Sequence, residues 1–142
     1  MPTVRWFLAH AKTDEAQVGQ WQVDLEATVL NTPGWTTQVT TGRSDYGTHA
    51  AAMGSWDRWT QDVPMRTNYL GEPTYHGVVF PYTGSLTTGR ATGDIIAGFL
   101  RLGKHCFVWD TVSSGLYAVE KVAVVDCRSF TKHTEITLRR SA

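Results

Sequence analysis

Residues 88–104 constrain this chain more than any other stretch. They read Thr-Gly-Arg-Ala-Thr-Gly-Asp-Ile-Ile-Ala-Gly-Phe-Leu-Arg-Leu-Gly-Lys, between the apolar runs Tyr75–Tyr82 and His105–Asp110. The order is strand, polar loop, amphipathic helix, strand. Two parallel strands cannot be joined by a tight turn and need a helical crossover of about this length. Ile95, Ile96, Phe99, Leu100 and Leu102 form the helix's broad apolar face, and Gly103 stands where a left-handed stop is wanted, with Lys104 beyond it. Ligands of open sheets built this way gather at the carboxyl ends of the strands. That end carries Tyr82, Ser85, Thr88, Arg90, Asp94 and Asp110.

The rest of the chain fits the same plan. Val4–His10 is a nearly continuous apolar run, as expected of a strand covered on both faces. Thr13 is a candidate helix N-cap, with Asp14 and Glu15 in the first turn that follows. Val18, Trp21, Leu25 and Val29 recur at spacings of three and four and make one apolar helix stripe. Asn31-Thr32-Pro33-Gly34 stops that helix, and the β-branched run Trp35–Thr41 is the second strand. His49–Gln61 is a second helix candidate, ended by Pro64, and Met65–Thr74 reads as loop. Tyr117–Val125 is a further strand, and Thr131–Leu138 an edge strand or a short terminal piece. The expected architecture is one α/β domain over residues 1–142. It is flavodoxin-like and doubly wound, with a mainly parallel sheet and two or three covering helices.

Composition narrows the function classes. The formal net charge is zero, so there is no strong sign of nucleic-acid binding by phosphate neutralisation. No segment has the length and apolarity of a membrane span and no secretory leader is visible, so a cytoplasmic protein without a membrane partner is expected. Cys106 and Cys127 lie in or beside strand-like runs, and whether they pair is open. Neither the cysteines nor the five histidines show metal-ligand spacing, so no metal and no cofactor are expected. P-loop, dinucleotide-fold and nucleophile-elbow fingerprints are missing.

The remaining candidates are polar groups at strand ends and at the start of the crossover helix. Asp94 and Asp45 are the candidate catalytic carboxylates. An acid at a helix start stays ionised and suits a nucleophile, although the dipole alone also favours one there. Asp45, beside Gly47 after the second strand, is equally what an Asx turn would use. His10, Arg43, Tyr82, Ser85, Thr88, Arg90 and Asp110 are the candidate substrate-binding residues. A hydroxyl-rich loop with a cation before a helix start suits a ribose or a phosphate.

Three segments give the chain a resemblance to the nucleoside 2-deoxyribosyltransferases and their nucleotide N-glycosidase relatives: Trp6-Phe7-Leu8-Ala9-His10, Arg43-Ser44-Asp45-Tyr46, and Gly89 through Trp109. The family's turn runs roughly G-x-G-T-x-x-E, with the Glu attacking the anomeric carbon. Here Asp94 follows Thr92 by two positions. The resemblance implies cleavage or transfer at the N-glycosidic bond of a nucleoside or nucleotide, through a carboxylate nucleophile. It also implies a homo-oligomer, since the family usually assembles. Phe7–Asp14 additionally resembles the opening of TIR domains, some of which cleave the same kind of bond. The alternatives are a non-catalytic nucleotide-binding module of the same fold and a small structural or interaction protein, the latter suggested by six tryptophans.

Overall fold

The computed structural model describes residues 2–10, 14–43, 63–67, 69–82, 86–113, 115–126, 128 and 134–139, the side chains of Arg43 and Ala91 excepted. Seven strands form one mixed sheet: β1 (Thr3–His10), β2 (Thr36–Arg43), β3 (Gly77–Tyr82), β4 (Thr87–Thr88), β5 (His105–Asp110), β6 (Leu116–Val124) and β7 (Thr134–Leu138). Their order is β2-β1-β3-β5-β6-β7-β4. The pairs β2/β1, β1/β3 and β3/β5 are parallel, and β5/β6, β6/β7 and β7/β4 are antiparallel. The expected α/β class holds, and the parallel sheet continues into an antiparallel extension. β7 lies inside that extension, and the two-residue β4, in a stretch read as loop, forms the edge.

Two-sided burial follows from the sequence of β1. Successive side chains of a strand point to opposite faces. Trp6 and Leu8 join Trp21, Leu25, Leu30, Val39, Val79 and Trp109 on one face. Phe7 and Ala9 join Val78, Ile95, Ile96, Phe99, Cys106 and Val108 on the other. Helix α1 (Glu15–Asp24) covers the first face and helix α2 (Arg90–Arg101) the second. Burying one Leu, Ile or Phe side chain contributes about 1.5–3 kcal/mol, so these two layers supply most of the stabilisation.

Helix α1 uses the stripe that the spacing predicts, with Trp21 and Leu25 buried. Asp14 is its N-cap and makes no side-chain cap bond, while Thr13 lies outside the described residues. The helix continues as a π-helical segment, Leu25–Val29, closed by the Leu30 N–H donating to the Leu25 carbonyl at 2.9 Å. The chain then turns through Pro33-Gly34. Gly34 has φ of 84° and the Trp35 N–H donates to the Thr32 carbonyl at 3.0 Å, which together make a type II turn.

The edge strand β2 is blunted by α1. Gln22 Nε2 donates to the Val39 carbonyl at 2.6 Å, and the Val39 N–H donates to Glu26 Oε1 at 2.8 Å. Residues four apart on one helix face thus occupy both hydrogen-bonding groups of one edge residue. An uncovered edge would offer them to another chain.

The stop of α2 is the one its sequence predicts. Gly103 has φ of 69°, the Lys104 N–H donates to the Phe99 carbonyl at 3.1 Å, and the Gly103 N–H donates to the Leu100 carbonyl at 3.1 Å. Two glycines on α2 mark close approaches. A Cβ on Gly93 would lie 2.3 Å from Thr134 Oγ1, and one on Gly98 would lie 2.6 Å from Pro64 Cγ. Residues 63–65 are helical. Pro64 is buried at Gly98, and Lys104 Nζ donates to its carbonyl at 2.6 Å. The expected helix over His49–Gln61 lies outside the described residues.

Two substitutions test these contacts by urea unfolding. Glu26→Ala is expected to lower stability by about 1 kcal/mol, because the part-buried Val39 N–H loses its acceptor. An unchanged midpoint would show that the clasp contributes nothing. For Gly93→Ala, helix propensity alone predicts a gain of about 1 kcal/mol. Overpacking against Thr134 costs about 1–3 kcal/mol, so a net loss is expected.

Candidate functional site

The last residues of the four parallel strands form a row. His10 of β1 is the register partner of Arg43 of β2, and Tyr82 of β3 is the partner of Asp110 of β5. Strand β1 lies between β2 and β3, the chain passing from β1 to one side and then across to β3 on the other. In open α/β sheets a crevice at the carboxyl ends opens where the strand order reverses in this way. The structure thus brings His10, Arg43, Tyr82 and Asp110 to one sheet end.

His10 is 5 % exposed, so it is a buried imidazole at the base of this end. Tyr82 is half-buried against the α2-side core, and Thr111 Oγ1 donates to its carbonyl at 3.3 Å. Asp110 has a structural task. Its Oδ1 accepts the Val112 N–H at 2.9 Å and the Ser113 N–H at 3.2 Å, tying the turn into β6. Those two backbone donors hold the Asp110 carboxyl below its ordinary pKa, because they stabilise the ionised form.

The second group is mounted on β4 and α2. Strand β4 lies between β3 and α2 in the chain and sits at the sheet edge beyond β7, so the start of α2 is tied to the antiparallel extension. Strand β4 pairs with β7, with Thr88 opposite Thr134. Thr88 is buried, and its Oγ1 donates to the Gly89 carbonyl at 2.7 Å. Gly89 is the N-cap of α2, and no acid lies in the first turn. The expectation that Asp94 occupies the N-terminal turn is therefore corrected. Asp94 is in the second turn, where the dipole acts less on its charge. It pairs with Arg90 at 3.9 Å, one turn earlier, with the two side chains 39 % and 45 % exposed. Three residues after Thr92 stands Ile95, which is 0 % exposed in the core.

Asp45 and Ser85 lie outside the described residues, and so does the side chain of Arg43. Cys106 is a free, buried thiol whose Sγ contacts the Ile96 and Lys104 carbonyls at 3.8 and 3.7 Å. Burial pushes its pKa up to about 12. Cys127 is outside the described residues. Among the described residues no group of three or more His, Cys, Asp or Glu is placed to hold a metal ion, and no helix is long and apolar enough to cross a membrane.

A concavity that the sequence reading did not anticipate lies at the opposite, amino end of the parallel strands. It is lined by residues of β1, β5 and the segments preceding β2 and β3, and its volume is about 510 Å³. Val4, Trp6, His105 and Phe107 belong to it, and in sequence they look like strand interior. Only the relative placement of the strands shows that His105 is left exposed and Phe107 half-buried at this end. Comparison with protein-family models, curated proteins and solved structures yields no match to the chain.

Two measurements probe this chemistry. Asp110's contribution is full above the ordinary carboxylate range and is lost as pH falls through its lowered value. The stability gap between wild type and Asp110→Ala should therefore be present at about pH 7 and close towards about pH 2. A gap independent of pH would exclude the charged turn. Cys106 should resist alkylation in the native protein at about pH 8 and react once the chain unfolds, as read by mass spectrometry of its peptide.

Proposed function

We propose that the chain acts on nucleosides or nucleotides at the carboxyl end of its parallel strands, cleaving or transferring the N-glycosidic bond through the Asp94 carboxylate. The observation that carries the reading is the row formed by the His10, Arg43, Tyr82 and Asp110 strand ends at the carboxyl end of the parallel strands. A flavodoxin-like, doubly wound arrangement accords with the β2-β1-β3-β5 order and with helices on both faces. The sequence resemblance to nucleoside 2-deoxyribosyltransferases supports the same chemistry.

In this reading an Asp94 oxygen attacks C1′ of the sugar as the C1′–N bond breaks. The base leaves with the bonding pair and takes a proton from solvent. The resulting glycosyl ester is opened by water, or by the nitrogen of a second base, which restores the carboxylate. The transition state is oxocarbenium-like, as in retaining glycosidases. Arg90 pairs with the carboxylate one turn earlier on the helix, and Tyr82 offers a hydroxyl for the sugar.

A second reading is favoured by two specific observations. Asp94 is engaged by Arg90, and the position three after Thr92 is the core residue Ile95. A domain with that arrangement binds a nucleotide and does not turn it over.

Incubation with deoxynucleosides and a free base, followed by chromatography, separates the readings. Base exchange or release is expected, reduced at least ~10³-fold in Asp94→Ala, because a missing nucleophile removes the covalent route. Unchanged rates in Asp94→Ala would remove Asp94 as nucleophile. Nucleotide binding by calorimetry without turnover selects the binding module.

A further inference from the structure

We propose that the concavity at the amino end of the parallel strands is a second binding site, for a planar aromatic anion such as an aryl carboxylate. Its volume of about 510 Å³ is within the range of small-molecule sites. It is remote from the carboxyl-end residues. Val4 and Trp6 precede His10 by six and four residues along β1, which is about 13–20 Å of extended strand.

The floor is a set of rings in mutual contact. His105 and Phe107 stack at 6.1 Å with 14° between planes. Trp6 lies 5.5 Å from His105 and 5.7 Å from Phe107. Gly77 makes this possible, since a Cβ there would lie 2.6 Å from the Trp6 ring and 2.8 Å from His105 Cβ. The rim is held by the Pro33-Gly34 type II turn, which places Thr32 and Trp35 against the cavity. Trp35 is 45 % exposed and is the ring available to close over a flat ligand. Trp21 of α1 covers Trp109 further along β5, whereas His105 and Phe107 line the cavity.

The polar character selects an anion. His76 Nδ1 accepts the Arg5 N–H at 3.0 Å, so the neutral ring carries its proton on Nε2, a donor. Its ring is further fixed by backbone bonds from the His76 N–H to the Arg5 carbonyl at 2.7 Å and from the His105 N–H to the His76 carbonyl at 3.1 Å. Burial, together with the positive neighbours Arg5, Lys104 and His105, holds the His76 pKa below its ordinary value. Among the described residues no carboxylate lines the cavity, and Thr32 adds a hydroxyl. An aromatic ring with one negative group matches an aromatic floor, a neutral donor and a surrounding positive field. A second copy of the chain, the competing occupant, is less well matched to a concave site of this size, because a stable interface buries about 1,200–2,000 Å².

The test uses the full chain and 1-naphthoate as probe, with tryptophan fluorescence and calorimetry as readouts. Saturable binding with one site per chain is expected. The cationic isostere 1-naphthylmethylammonium should bind at least ~10-fold more weakly, since the field that favours the anion opposes it. Trp35→Ala and His105→Ala change exposed side chains and should each weaken naphthoate binding by about 5-fold or more, the order of one aromatic contact. Asp94→Ala should leave it unchanged. Absence of saturable binding, equal binding of the cation, or binding that survives both ring substitutions would overturn the proposal. So would concentration-dependent dimerisation in sedimentation that is lost in Trp35→Ala, which would assign the face to a second copy.

Discussion

Everything in this fold depends on strand β1 being buried on both faces. Trp6 and Leu8 are 7 % and 0 % exposed on one side, and Phe7 and Ala9 are 3 % and 0 % on the other. A strand of this kind is stable only with parallel neighbours and a helix layer above and below, because the hydrogen-bond ladder satisfies its backbone while the layers remove its side chains from water. The crossovers needed to build such a sheet place α1 on one face and α2 on the other. They also bring the His10, Arg43, Tyr82 and Asp110 ends to one rim. The candidate site is thus a by-product of satisfying β1.

Coverage of the two faces is uneven, and the unevenness explains local features. The layer holding α2 is dense enough that Gly93 and Gly98 must lack side chains where Thr134 and Pro64 approach. The layer holding α1 reaches across β1 to the edge strand β2, whose Val39 backbone it clasps through Gln22 and Glu26. The same helix covers Trp109 further along β5 through Trp21. At the amino end of β5, Trp6, His105 and Phe107 pack on one another and line a concavity instead of a filled core.

The legible and illegible parts of the sequence differ for physical reasons. The stripe of α1, the apolar runs of β1, β3 and β5 and the Gly103 stop of α2 are periodic or conformational signals carried by a few adjacent residues, and each corresponds to an element of the structure. Strand β4 carries no such signal. Two threonines become a strand because β7 offers Thr134 and Glu135 as partners, and that pairing joins segments about fifty residues apart in the chain. The placement of Asp94 turned on one question of local structure. With Gly89 as N-cap, the acid moves out of the first turn and beside Arg90. Asp110 looked like a substrate contact because it ends a strand, and its carboxylate is occupied by the turn that follows.

The sequence by itself determined the class of fold. The nearly continuous apolar run of β1, the helix periods and the helix-length crossover leave few arrangements other than an α/β sheet with helices on both sides. It also placed His10 and Asp110 at the ends of strands, whereas Arg43, read as part of the loop after Thr41, is the last residue of β2. Tertiary structure alone decided how the parallel sheet continues into β6, β7 and β4, which hydrogen bonds consume Asp110 and His76, and which end of the sheet keeps a partly exposed aromatic surface. Those outcomes depend on the distance between groups far apart in the chain, and no local period or propensity encodes that distance.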